Sequence, residues 1–237
     1  LGCHLRRKVN RVPKLGGATQ ELAKNQSSPK AVLVADGYVY WSNSSNAGGI
    51  FRTPVAAPAA PLPVVVSEYY PYRMAIHDGT LYYTTDTTSG AVRKVAVGGG
   101  VPVDVAASQT SPRGVVADGS RLYWTVFKEV KRVPLGATAP VVKVSASEMF
   151  PFDLQADAAN LYWSDGYAYR IRKAIKTATD EASTLADLPF GQAPVQIAID
   201  ADHVYWANPE GGSIQSVSKQ GGAIRTWVTG QKKPVGI

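Results

Sequence analysis

One cysteine, Cys3, stands in a chain of 237 residues, together with two methionines and three histidines. A lone cysteine excludes an internal disulfide and any Cys-based zinc site, so stability has to come from packing. No run of 18 apolar residues occurs, which excludes a membrane-spanning helix. The first residues show no basic stretch followed by an apolar one, so no signal peptide is expected there. Chemical signatures are scarce as well: there is no G-x-S-x-G, H-E-x-x-H, phosphate-binding loop or calcium-loop spacing. Of the histidines, His77 precedes a strand-end aspartate and His203 falls in a turn. Only His4 is placed to reach a cleft, which a general acid or base requires. No cofactor and no metal is expected.

What the chain does contain is a repeat. The segments VYWSN (39–43), LYYTT (81–85), LYWTV (122–126), LYWSD (161–165) and VYWAN (204–208) share one pattern. Their aligned aromatics, Trp41, Tyr83, Trp124, Trp163 and Trp206, lie 42, 41, 39 and 43 residues apart. A proline stands twelve residues before each: Pro29, Pro71, Pro112, Pro151 and Pro194. An aspartate (Asp36, Asp78, Asp118, Asp157, Asp200) follows each proline by six or seven residues and reads as a turn former, its side chain bonding nearby backbone N–H groups. A period of about 40–45 residues carrying four short strands predicts propeller blades.

Each unit reads as an apolar first strand, the Tyr-Trp strand, a third strand of pattern [IV]-x-[RK], and an alternating fourth strand. The repeats run 29–70, 71–111, 112–150, 151–193 and 194–233. Val9-Asn10-Arg11-Val12-Pro13 repeats the third-strand pattern of Val130-Lys131-Arg132-Val133-Pro134, and Pro234-Val235-Gly236-Ile237 opens another first strand. The expectation is therefore a single all-β domain over 1–237. It would be a six-bladed β-propeller of four-stranded antiparallel blades, the sixth formed by 234–237 plus 1–28, closed by both termini and lacking its second strand.

The order P-x-x-apolar-x-x-D, then [LV]-Y-W-[ST]-[DN], then [IV]-x-[RK] resembles the YWTD repeats of the LDL-receptor class B type and related propellers of bacterial secreted proteins and lipoproteins. The resemblance covers essentially the whole chain. Tyr83 departs from it by replacing Trp, and Val126 and Asn43 by replacing the final Asp. It implies an extracellular or periplasmic, cell-envelope protein, and it marks fold more than function, since propellers host binding modules and enzymes alike. Leu1-Gly2-Cys3 is similar to the end of a lipobox, whose cysteine is lipidated, although strand-like sequence follows without a linker.

Tyr and Trp in one strand point to opposite faces, and a blade lies between two neighbours. The motif is therefore expected to be packing chemistry, one ring toward each adjacent blade. Variation concentrates around the prolines: SSPKA, YYPYR, TSPRG, MFPFD, QAPVQ and KKPVG. These segments predict a ligand surface of Tyr69, Tyr70, Tyr72, Arg73, Arg113, Phe150, Phe152, Asp153, Tyr167 and Gln196, with Lys30, Phe127 and Tyr169 nearby. The plainer reading is that the rings cap the core.

The formal charge of +7 comes from 25 Lys and Arg against 18 Asp and Glu. The third-strand slot holds Arg11, Arg52, Lys94, Arg132 and Lys173. Dealt out by the repeat, these predict solvated outer strands rather than the localised basic face that nucleic acid requires. Two sequons, at Asn25 and Asn43, would matter only in a glycosylating host. Three functions follow. One is a non-enzymatic binding module for a peptide, glycan or protein. Another is a hydrolase or lyase using Asp153, Gln196, Glu148 and Arg113, although these are few ligands for a divalent ion. The third is a structural domain of a larger surface protein.

Overall fold

The structure, a computed structural model, describes residues 7–136, 139–177 and 179–237; Cys3 and His4 lie outside them. The described residues are all-β, with strands and turns and no helix. They fall into two compact units, Leu1–Gln109 and Thr110–Ile237.

In the first unit β1 (Val9–Arg11) and β2 (Gln20–Ala23) pair antiparallel. Two four-stranded antiparallel sheets follow in simple up-and-down order. They are β3 (Pro29–Ala35), β4 (Tyr38–Asn43), β5 (Gly48–Pro54) and β6 (Leu62–Glu68), then β7 (Pro71–His77), β8 (Thr80–Thr85), β9 (Gly90–Ala96) and β10 (Val103–Gln109). The second unit holds three such sheets. The first comprises β11 (Val115–Ala117), β12 (Arg121–Val126), β13 (Glu129–Pro134) and β14 (Val142–Ser145). Next come β15 (Pro151–Ala156), β16 (Asn160–Asp165), β17 (Arg170–Ile175) and β18 (Ser183–Asp187). The last comprises β19 (Ile197–Ile199), β20 (His203–Asn208), β21 (Ser213–Ser218) and β22 (Arg225–Val228).

Every Tyr-Trp strand is the second of its sheet, and its aromatics behave as alternation dictates. Tyr40 and Trp41 are both fully buried, on opposite faces of β4. Trp41 packs on Val9, Leu22 and Ala23 of the β1–β2 pair, while Tyr40 packs toward Met74, Leu81 and Tyr83 of the next sheet. In the second unit Tyr123 meets Leu154 and Trp163, and Tyr162 meets Ile197 and Trp206. The tyrosine of one sheet thus lies in the same cluster as the Trp-slot residue of the next. At about 25 cal/mol per Å², burying one such ring contributes roughly 4–6 kcal/mol before entropy is counted.

The fourth letter of the motif staples the sheets. Ser42 Oγ accepts from Ala31 N (3.2 Å) and donates to Tyr72 O of the next sheet (2.8 Å). Ser164 Oγ accepts from Asp153 N (3.2 Å) and donates to Val195 O (2.6 Å). Thr125 Oγ1 does the same between Gly114 N (2.8 Å) and Phe152 O (3.5 Å). Gly114 has to be glycine for this approach, because a Cβ would sit 2.9 Å from Leu154 N.

Three expectations require correction. Five four-stranded sheets are present among the described residues, and in place of the expected sixth blade there is only the two-stranded β1–β2 sheet. Residues 234–237 carry no strand, since no described strand ladders against them. The basic third-strand slot is not simply solvated, because several of its members reach the next sheet. Arg132 Nη1 donates to Lys176 O (2.8 Å), Lys173 Nζ to Lys219 O (2.9 Å), and Arg11 to Val55 O. Asn43 is buried and donates to Gln26 Oε1 (2.9 Å).

The repeated aspartates form turns, in two ways. Asp36 and Asp78 adopt left-handed backbone before Gly37 and Gly79, a hairpin turn that Asp-Gly favours. Asp118, Asp157 and Asp200 instead accept two backbone N–H groups each, from Ser120 and Arg121, Ala159 and Asn160, and Asp202 and His203. Two of them also hold the lysine that follows the neighbouring sheet's third strand, Lys176 on Asp118 (2.8 Å) and Lys219 on Asp157 (3.0 Å). Burial alone would raise both carboxyls. Their hydrogen bonds outweigh it and hold them well below the usual range: Lys176 with the amides of Ser120 and Arg121 for Asp118, and Asn160 with Lys219 and Tyr162 for Asp157.

Candidate functional site

The segments that precede each first strand are fixed by backbone bonds to the end of the second strand. Asp86 N donates to Tyr70 O (3.0 Å), Ser44 N to Ser28 O (2.9 Å), and Gly166 N to Phe150 O (3.0 Å). The residue before the proline is left-handed at Ser28 (φ 56°), Tyr70 (φ 48°), Ser111 (φ 48°) and Lys233 (φ 48°). That conformation costs a non-glycine residue on the order of 1 kcal/mol or more. It recurs because the surrounding bonds impose it. Asp165, last letter of its motif, accepts from Met149 N (3.0 Å) and Phe150 N (2.7 Å) and is met by Arg170 (3.3 Å). The motif that packs the core therefore also aims the loop that carries Phe150.

The candidate residues separate into groups. In the first unit Tyr69 and Tyr70 are exposed and meet edge to face at 4.8 Å. Tyr72 is buried, with Lys30 Nζ 5.1 Å and the Arg73 guanidinium 5.7 Å from its ring centroid. Tyr72 is thus a wall rather than an exposed contact. A cavity of about 460 Å³ opens here, lined by Ser28, Pro29, Lys30, Ser44, Tyr70, Tyr72 and Asp86.

In the second unit a continuous aromatic ledge forms. The Arg113 guanidinium lies 4.4 Å from the Phe150 ring and 4.2 Å from the Phe152 ring. Tyr167 stacks on Phe150 at 4.7 Å, and Phe127 meets the same ring edge-on at 6.0 Å. Phe127 is 42%, Tyr167 60% and Met149 54% exposed. Met149 was missed in the sequence although it begins the MFPFD segment; its side chain gave no signal apart from its neighbours.

Asp153 is buried and accepts from Ile197 N at 3.0 Å, so it braces adjacent first strands. Glu148 is likewise buried, bonded to Ser145 Oγ (2.5 Å) and paired with Arg172 (3.3 Å). Gln196 accepts from Ala207 N through its backbone, and its side chain lies beside Gly236. Tyr169 packs on Phe190 at 5.2 Å.

A repeated feature escaped the sequence reading. Gln26, Glu68, Gln109 and Glu148 each stand three residues before a repeat proline, and Gln192 two before. Gln26 Oε1 accepts from Trp41 Nε1 (2.7 Å), Glu68 from the Tyr83 hydroxyl (2.5 Å) and Arg93 (2.6 Å), and Gln192 from Asn208 Nδ2 (2.7 Å). At position 83 the Tyr hydroxyl takes the place of the indole N–H as donor to this slot. Burial first, and then the Glu68 carboxylate, pushes the Tyr83 phenol up, so it stays a neutral donor. The regular spacing to proline was the available signal.

No protein-family model matches the chain, and no curated protein does. Solved structures do. The structure is similar to a chain of a nidogen/laminin complex, with 17% identity, TM-score 0.74, and coverage of 90% of this chain and 86% of that one. It is similar to a streptogramin B lyase, with 13% identity, TM-score 0.78, and coverage of 98% and 80%. The virginiamycin B lyase of Staphylococcus aureus gives 15% identity, TM-score 0.72, and coverage of 90% and 74%. Likeness at this level of identity establishes the fold: an all-β, YWTD-like β-propeller of four-stranded antiparallel blades.

Proposed function

We propose that this chain is a non-enzymatic binding module, secreted or held at the cell envelope, whose aromatic ledge engages a polypeptide partner. The single observation that carries the reading is the composition and exposure of that ledge. Aromatic residues, Met and Arg are the types enriched at protein interfaces, whereas Lys, Glu and Asp are depleted there. Phe127, Tyr167 and Met149 present apolar surface to solvent, around Phe150 and Arg113, which already stack on one another. Rigid rings cost little entropy to immobilise, which suits them as anchors.

The same reading takes the chain as one domain of six sheets, β1 and β2 being the outer pair of the sixth. The relatives in fold include both a laminin-complex component and lyases, so an enzyme is the reading to test against. Glu148, Asp153 and Asp165, the carboxylates bonded around the ledge segments, are engaged in structural bonds, which favours binding over chemistry. A nucleic-acid partner is disfavoured because several slot lysines and arginines are committed to neighbouring sheets.

The test is selection of a random peptide library on the immobilised protein, then measurement of the enriched peptides against a Phe127→Ser/Tyr167→Ser variant. Both positions are exposed, so the variant should melt with the parent, within about 0.5 kcal/mol per site. Enriched peptides should bind it at least about tenfold more weakly, the loss of one to two kcal/mol expected for truncated anchors. Equal affinity for both proteins, or no enriched peptide at all, would overturn the proposal. Turnover of a lactone or ester that is lost in Asp153→Asn would replace it with the enzyme.

A further inference from the structure

The cavity of the first unit is lined by none of the ledge residues, and we propose that it binds a neutral sugar ring. Its volume, about 460 Å³, falls in the range of small-ligand pockets, and its lining specifies the chemistry. Tyr70 and Pro29 supply apolar faces, Ser28 and Ser44 short hydroxyls, Asp86 a carboxylate and Lys30 an ammonium group. Tyr72 forms the buried wall, and the contact of Lys30 with its ring holds that ammonium at the cavity.

Charge decides among ligand classes. A phosphate or sulfate would meet Lys30 but be repelled by Asp86, and an organic cation would meet Asp86 but be repelled by Lys30. A polyol satisfies both, because each sugar hydroxyl is donor and acceptor at once. A carboxylate offers about four lone-pair sites and an ammonium three donors. Both therefore keep capacity for a sugar while holding other partners. The C–H face of a pyranose lies flat on an aromatic ring and is apolar, which is what Tyr70 offers at a wall fixed by its own backbone. Tyr70 N donates to Ser45 O and Tyr70 O accepts from Asp86 N, and Tyr69 braces the ring edge-on. The wall is preorganised, so little entropy is lost on binding.

One alternative shares the charge pattern. A zwitterionic amino acid could set its carboxylate on Lys30 and its ammonium on Asp86, but it would leave the ring platform and both serines without a role. The experiment separates the two. Saturation-transfer NMR is recorded on the whole protein with glucose, galactose, mannose and N-acetylglucosamine at millimolar concentration, and with glycine and alanine as the zwitterionic probes. The expected result is transfer to the ring protons of at least one sugar, weakened about tenfold or more in Tyr70→Asn and in Asp86→Asn as stacking and hydrogen bonds are lost. Asn tolerates the left-handed backbone at position 70, so that variant keeps the fold, and Asp86→Asn provides a second readout. Transfer should persist in Phe127→Ser/Tyr167→Ser, which separates this site from the ledge. No transfer to any of the four sugars, binding retained in both pocket variants, or transfer only to the amino acids would overturn the proposal.

Discussion

Ser164 shows how much one side chain carries. Its hydroxyl accepts from its own sheet and donates to the next, with no exposed surface. Replacing it with alanine removes both bonds and leaves Asp153 N and Val195 O without the hydroxyl between them. Ser164→Ala should therefore lose about 1–3 kcal/mol, the cost of unsatisfied buried groups, measurable by urea unfolding. An unchanged midpoint would show that the hydroxyl is not a staple. The residue scale is also where sequence reading fell short. Asp153 was placed near a ligand because its offset from Pro151 puts it on the first strand. The offset does not say that the carboxylate turns to Ile197 N. Charge was read as solvation at Arg132 and Lys173 because the carbonyls they reach are more than forty residues away in sequence. Only the packing of sheet on sheet brings them close.

The turn between first and second strands is the element most sensitive to acid. Asp118 and Asp157 have carboxyls held below their usual range, and Asp200 is lowered to about 2, first by the Tyr205 hydroxyl and then by the amides of His203 and Asp202. A carboxyl with a lowered folded pKa stabilises the fold fully above its unfolded value near about 3.9, and that stability is lost as pH falls toward the folded value. Melting temperature should therefore be flat near neutrality and drop below about pH 4. Lys219→Met removes the ammonium on Asp157, so this variant should melt lower than the parent near neutral pH. The gap should narrow as Asp157 is protonated. Equal melting temperatures of variant and parent near neutral pH would contradict the assigned role of that pair. The turns themselves were legible, because aspartate six or seven residues after proline has few other uses. The left-handed residues before proline were not, since an X-Pro step ordinarily favours extended backbone and only the surrounding bonds override it.

At the scale of the molecule, the Tyr-Trp repeat was the clearest signal. Its even spacing fixed four-stranded sheets and foretold rings buried on both faces of the second strand. The sixth sheet was less legible: third- and fourth-strand patterns near the start of the chain could be read, and β1 and β2 bear them out, but the first-strand pattern at 234–237 does not form a strand. The ledge was legible as a cluster, since MFPFD and GYAY stand out against the repeat. Its stacking geometry was not, because Arg113 meets Phe150 and Phe152 from a different sheet.

The account rests on separating aromatics that pack from aromatics that face solvent, and the tryptophans test this most directly. Trp41, Trp124, Trp163 and Trp206 have no exposed surface, while Trp227 on β22 is 46% exposed. Iodide quenching of tryptophan fluorescence in the folded protein should reveal one accessible indole, and Trp227→Phe should abolish the quenchable component. Quenching that persists in Trp227→Phe would place the repeat tryptophans in solvent and contradict the packing of the sheets.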